Sequence, residues 1–134
     1  MKYYTFKEQF HAAILGGVKV STIRPKRKVE PGERFALRCW TGAPYRSKMG
    51  WLGSAVCTRV SVVQLSALLN FYIDVNGERL DYSGRTRLAE AEGFSNLLGM
   101  WQWFIDQHKI NEKPLVGVLT EWDPSTFIAG EAQS

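Results

Sequence analysis

Three residues near the start of the chain are of types that can do chemistry together: Lys19, Thr22 and Arg24. A neutral lysine can take the proton of a threonine hydroxyl and make that oxygen a nucleophile. Positive neighbours lower the pKa of a lysine, and Lys19 begins a run of cations. Side chains three positions apart on a regular strand point to opposite faces, so only a bulge or turn after Gly16 and Gly17 would bring Lys19 and Thr22 into one pocket. Solvent-exposed residues at the end of a strand would show the same spacing, so the sequence leaves open both a reactive pocket and a solvated surface.

The apolar pattern around these residues predicts an α+β fold in which strands predominate and a helix lies near each end of the chain. Helices are predicted over 6–16 and 95–105, a helical turn over 85–92, and strands over 18–23, 35–40, 51–65 and 115–122. Asn76 and Gly77 join two alternating segments, which is a strong hairpin signal. The 134 residues fit a single domain, 1–134, whose last residues, about 127–134, are expected to fray.

Composition argues against several classes of protein. Apolar residues make up 45% of the chain and charged residues 22%, which disfavours wholesale disorder, collagen-like repeats and coiled coils. The sequence contains no apolar run long enough to cross a bilayer and no signal peptide, so we expect a cytoplasmic protein without a membrane partner. No oligomeric state is indicated.

Positive charge is concentrated in one segment. The chain has 17 Lys and Arg against 13 Asp and Glu, but residues 19–48 hold nine of the cations and only two of the acids. That segment therefore carries a net charge of +7, and the remainder of the chain carries −3. A basic stretch of this kind attracts polyanions such as nucleic acid, and a solvated surface is the equal alternative.

Cations and rings in this segment form a candidate ligand-binding set. Rings can stack on unpaired bases while Lys and Arg hold phosphate, and strand tryptophans alternatively serve packing. The set is Arg24, Lys26, Arg27, Lys28, Arg38, Trp40, Tyr45, Arg46 and Lys48.

The histidines and cysteines predict no metal site and no cofactor. His11 and His108 lie far apart in sequence without an evident acidic partner, and His11 is expected at the surface. Cys39 and Cys57 lie in strand-like segments outside any zinc-binding spacing, so buried thiols are expected.

The order of several motifs resembles the activating signal cointegrator homology (ASCH) family over roughly residues 6–122. The motifs are Gly-x-Lys-x-x-Thr-x-Arg at 17–24, Pro-Gly-Glu-Arg at 31–34, Ala-Glu-Ala-Glu-Gly-Phe at 89–94, and the helix that carries Trp101 and Phe104. The hairpin over about 70–83 looks like an insertion relative to that family.

The resemblance implies a PUA-like small β-barrel with flanking helices, a cleft between them, and recognition of RNA or a modified nucleoside. Some compact bacterial members are amidohydrolases that deacetylate N(4)-acetylcytidine with a Lys, a Thr three residues later and a downstream Glu. Those positions correspond here to Lys19, Thr22 and Glu92, with Glu90 as the alternate carboxylate and Arg24 as a binding residue. Binding of RNA or a modified nucleoside is the leading prediction. The alternatives are the amidohydrolase and a single-strand ribonuclease with a divalent ion near Glu92.

Overall fold

A computed structural model describes residues 1–40 and 49–130, and within them the chain forms a seven-stranded mixed sheet and three α-helices. The strands are β1 (Tyr3–Phe6), β2 (Ser21–Arg24), β3 (Arg34–Trp40), β4 (Met49–Ser66), β5 (Tyr72–Val75), β6 (Glu78–Arg79) and β7 (Leu115–Ala129). The helices are α1 (His11–Leu15), which follows a 3₁₀ turn (Glu8–Phe10), α2 (Tyr82–Ala91) and α3 (Leu97–His108). The predicted α+β class is confirmed.

The sheet is organised around the long strand β4. One edge of β4 pairs with β3 and, further along, with β5, and the other edge pairs with β7. Strand β1 adds in parallel to β3, and β2 adds antiparallel to β7. The main path through the sheet is therefore β1-β3-β4-β7-β2, with β1 and β2 at its two ends.

The predicted closed barrel is wrong, because the described strand pairings leave the sheet open between β1 and β2. Side chains bridge this gap in place of a backbone ladder. Arg24 Nη2 of β2 donates to the main-chain oxygen of Thr5 in β1 at 2.8 Å. The hydroxyls of Tyr4 in β1 and Thr120 in β7, the strand paired with β2, lie 3.2 Å apart. Strand β2 is only four residues long and is followed by Pro25, which has no N–H to extend a ladder. We call this gap the seam.

Two apolar clusters cover the two faces of the sheet. On one face, Tyr4 and Phe35 pack with Trp122. On the other, Leu65 of β4 packs under Phe104 of α3, together with further residues of α2 and α3. Phe94 and Trp103 contact both clusters, so the α2–α3 connection lies where the two layers meet.

The hairpin predicted at Asn76 and Gly77 is present. Asn76 and Gly77 have φ of 50° and 83°, the left-handed pair that a type I′ turn needs. Strand β6 ends at Arg79, and Asp81 then caps α2 by accepting a hydrogen bond from the Gly84 amide at 2.7 Å. Residues 127–129 of the predicted tail belong to β7, where Ile128 and Ala129 pair with β4, whereas 131–134 lie outside the described residues.

Within the described ranges, no helix is both long and apolar enough to span a membrane.

Candidate functional site

A pocket of about 290 Å³ occupies the seam. Residues of both sheet ends line it, including Thr5 of β1 and Thr22 of β2, and the side opposite the sheet is formed by α3 and the residues just after α2. The open edge of the sheet therefore creates the pocket that a closed ladder would fill.

Lys19 is buried in the wall of this pocket, with 3% of its surface exposed. Its Nζ donates to the main-chain oxygen of Glu92 at 2.7 Å and lies 4.7 Å from the ring centre of Phe10. Burial lowers the pKa of Lys19 to about 8, with the carboxylate of Glu92 opposing the shift and Arg24 adding to it. The direction matches the sequence-based expectation, but its main cause is burial rather than neighbouring cations.

The carboxylate of Glu92 faces both Lys19 and Ser21. Its Oε1 lies 4.0 Å from Lys19 Nζ, and its Oε2 accepts a hydrogen bond from Ser21 Oγ. Gly93, at φ +94°, turns the chain here, and a Cβ on it would come within 3.1 Å of Lys19 Cδ. Glu90, the alternate carboxylate, is exposed, so the carboxylate beside Lys19 is that of Glu92.

Thr22 is as buried as Lys19 and is held by Arg24. Its Oγ1 accepts a hydrogen bond from Arg24 Nε at 2.9 Å, while the guanidinium lies over the rings of Tyr4 and Phe6. Because Arg24 uses a lone pair of this oxygen, the hydroxyl proton of Thr22 remains available for transfer.

The chain turns at Gly16 and Gly17, where the sequence pattern requires a bulge or turn. Lys19 precedes β2, and its amide donates to Ala13 O in α1 rather than to a neighbouring strand, so strand alternation does not govern its side chain. Thr22 and Ile23 point to opposite faces of β2, and both line the pocket, so residues of either face of this strand contribute to the seam. Lys19 and Thr22 therefore line the same pocket.

Sequence reasoning missed several residues of the site. Ser21 gave no signal, because its role depends on contact with a residue 71 positions away. Trp103 was not singled out either, and it lines the pocket and packs edge-on to Phe10 and Phe104. His108 also lines the pocket, one helical turn after Phe104, and that i, i+4 spacing was the available signal.

Most of the basic candidates lie outside the seam pocket. Lys26, Arg27 and Lys28 form an exposed turn, in which Arg27 pairs with Glu30 and Lys28 Nζ donates to Tyr3 O at 3.1 Å. Lys26 and Lys28 line a neighbouring recess together with Arg24, which also lines the seam pocket.

The remaining basic and aromatic candidates are on or beyond β3. The Arg38 guanidinium lies between two rings, 4.8 Å from that of Tyr3 and 4.9 Å from that of Trp51. Trp40 is half-buried at the end of β3. Tyr45, Arg46 and Lys48 lie outside the described residues.

Histidines and cysteines form no metal-binding group in the part of the chain that the structure describes. His11 Nε2 lies 3.1 Å from the main-chain oxygen of Phe6. Cys57 is a buried free thiol, as expected, whereas Cys39 is only half-buried.

Comparison of the chain with protein-family models, with curated proteins and with solved structures found no match.

Replacing Ser21 by Ala is expected to lower the free energy of unfolding by about 1–3 kcal/mol, because Glu92 Oε2 would lose its buried donor. Ser61→Ala is the matched control, since Ser61 is also buried, in β4 of the same sheet, and its Oγ has no hydrogen-bond partner among the described residues. Urea unfolding measures both variants. Equal losses in the two variants would contradict the role given to Ser21.

Proposed function

We propose that this chain binds a modified nucleoside in the seam pocket and hydrolyses an acyl amide on its base, with N(4)-acetylcytidine as the expected substrate. The observation that carries this proposal is that Lys19, Thr22 and Glu92 line one buried pocket. These are also the three positions that the ASCH resemblance assigns to catalysis. We further propose that the fold is a PUA-like one whose sheet stays open at the seam.

The size and lining of the pocket suit one base with its sugar. A volume of about 290 Å³ is at the low end of ligand pockets, which run from about 300 to 1,000 Å³. Phe94 and Trp103, which are only half-buried, supply rings against which a planar base can pack. An oligonucleotide would have to leave most of its length outside the pocket.

The first chemical step joins Thr22 to the acyl group. Neutral Lys19 takes the hydroxyl proton as Thr22 Oγ bonds to the amide carbon, whose carbonyl π electrons move onto oxygen. Arg24 stabilises the charge that develops on Thr22 Oγ, because its Nε already donates to that atom. A pKa of about 8 keeps an appreciable fraction of Lys19 neutral near neutral pH.

The second step returns the site to its starting state. When the carbon–nitrogen bond breaks, the leaving amine of the base takes the proton held by Lys19, and an acyl ester remains on Thr22. Water then attacks the ester and gives its proton to Lys19, which passes it back to Thr22 as carboxylic acid leaves. Glu92 holds the amine of Lys19 toward the pocket throughout, through its main-chain oxygen and its carboxylate.

Incubation of the purified protein with N(4)-acetylcytidine tests this proposal. We expect cytidine and acetate to appear in equal amounts by chromatography, and N(4)-methylcytidine, which has no acyl group, to remain unchanged. Absence of acetate at every pH at which the protein stays folded would overturn the hydrolase.

A second candidate function, binding of single-stranded RNA, is favoured by the basic turn beside the seam. Lys26 and Lys28 line a recess that shares Arg24 with the seam pocket. A strand could place one base in the pocket while these cations hold its phosphates. The ribonuclease has less support, because the Glu92 carboxylate already faces the Ser21 hydroxyl and the Lys19 amine.

The combined substitution of Lys26, Arg27 and Lys28 by Ala is expected to weaken binding of single-stranded RNA and to reduce its salt dependence. Each lost phosphate contact lowers the slope of log K against log salt by about 0.7 for single strands. The matched control replaces three exposed cations elsewhere, Arg59, Arg87 and Lys113, by Ala. An unchanged affinity and slope in the first variant would exclude the basic turn as an RNA contact.

A further inference from the structure

Basic residues outnumber acidic ones in the lining of the seam pocket. Lys7, Lys19 and Arg24 line it against the single carboxylate of Glu92, so the described lining carries a surplus of positive charge. The surplus remains when Lys19 is neutral, because Lys7 and Arg24 still stand against the single carboxylate of Glu92. Lys7 is exposed, so its ammonium can reach a charged group that lies outside the pocket.

The basic groups lie at two depths. Lys19 is buried beside Glu92, where the acyl chemistry is placed, whereas Lys7 is exposed and His108 is half-buried. Lys7 and His108 therefore mark the mouth of the pocket, and Lys19 marks its floor.

Contacts with α3 hold Lys7 at this mouth. Its Nζ donates to Gln107 Oε1 at 2.6 Å and lies 5.8 Å from the ring centre of Trp103. An ammonium makes up to three hydrogen bonds, so Lys7 has donors left for a ligand.

His108 lies on the same side of the mouth. It stacks on Phe104 with ring centroids 5.4 Å apart and packs against Trp103 at 5.6 Å. Lys7 Nζ and the His108 ring therefore pack against the same residue, at 5.8 Å and 5.6 Å from the ring centre of Trp103. Burial lowers the pKa of His108, and the charges of Lys7 and Arg24 lower it further. An anion between these groups would accept hydrogen bonds from the ammonium and the imidazole.

We propose that Lys7 and His108 form an anion subsite at the mouth of the seam pocket, which takes the phosphate attached to a nucleoside whose base lies inside. This inference rests on the proposed function, because it takes the nucleoside from there. The ligand class becomes a nucleotide rather than a free nucleoside. The phosphate can be the 5′-monophosphate of a mononucleotide or a backbone phosphate of RNA.

Binding of unreactive product compounds tests the subsite separately from the chemistry. Calorimetric titration at one fixed low salt concentration compares cytidine with cytidine 5′-monophosphate. We expect the monophosphate to bind about tenfold more tightly, as one or two charge-assisted hydrogen bonds would provide. The methyl ester of that phosphate, which carries the single charge of a backbone phosphate, distinguishes the two sources. It retains the gain if RNA supplies the phosphate and loses most of it if a mononucleotide does.

Variants of Lys7 and His108 test whether these two residues cause the tighter binding of the monophosphate. Lys7→Gln and His108→Gln are each expected to reduce the preference for the phosphate, taken as the ratio of the two affinities within the same variant, to about threefold or less. Lys113→Gln, which removes an exposed charge outside the pocket lining, should leave the preference unchanged. Equal affinities of the wild-type protein for the two compounds would overturn the subsite and leave the pocket in place. Failure to bind either compound would overturn the proposed function along with the subsite.

Discussion

The Thr22→Ala variant is expected to hydrolyse N(4)-acetylcytidine at least about 10³-fold more slowly in kcat/KM than the wild-type protein. Loss of a nucleophile removes the covalent route and leaves only binding and electrostatic stabilisation. Thr22 makes its hydrogen bond with Arg24 at the pocket wall, so the substitution removes one hydroxyl and one methyl and leaves the pocket lining otherwise intact. Acetate release under subsaturating substrate measures the effect.

Two further variants separate chemistry from folding. Thr22→Ser keeps a hydroxyl at the same position and should retain part of the activity. Thr58→Ala removes an exposed strand threonine and should retain all of it. Mass spectrometry of the acid-quenched wild-type protein should find one acetyl group on the peptide that contains Thr22. Full activity of Thr22→Ala would show that water attacks directly, and would remove Thr22 from the mechanism.

The rate of hydrolysis should rise with pH until Lys19 is mostly neutral. Its pKa is lowered to about 8, so the basic form increases about tenfold per pH unit below that value and saturates above it. We therefore expect log kcat/KM to climb with a slope of about one up to pH near 8 and then to level off. The free protein sets this profile, because kcat/KM reports groups of the unbound enzyme.

Substitutions at Lys19 test the assignment of that pH dependence. Lys19→Arg keeps a cation beside Glu92, but the guanidinium cannot be deprotonated. We therefore expect kcat/KM to fall at least about 10²-fold and not to rise as the pH approaches 8. Thermal unfolding of this variant shows whether the fold survives the larger side chain. If Lys19→Arg keeps the wild-type profile, another group is the base.

The part of the fold that could be predicted from sequence is the part that local chemistry decides. Asn76 and Gly77 specify their own turn, and the apolar spacing of α3 specifies which face it buries. Closure of the sheet was not predictable in this way. It depends on whether β2 finds a backbone partner across the molecule, and Arg24 reaches Thr5 with its side chain instead.

The same distinction applies to the candidate site, where residues close in sequence could be selected and residues brought together by folding could not. Lys19 and Thr22 stood out because they are close in sequence and of suitable type, whereas Glu92 was selected only through the family resemblance. Ser21 and Lys7 could not be selected, because their contacts join segments 71 and 100 positions apart. Packing between distant segments, rather than any local pattern, brings these residues into one site.

Ligand binding in the seam would also raise the free energy of unfolding of the whole chain. A ligand there would touch Thr5 near the N-terminus and His108 in the last helix, so it would act as a reversible cross-link between distant segments. At a ligand concentration of about 100 times Kd, such binding adds about 2.7 kcal/mol to the free energy of unfolding. Strands β1 and β2 have no backbone ladder between them at the seam. A ligand bound there would hold these two ends of the sheet together.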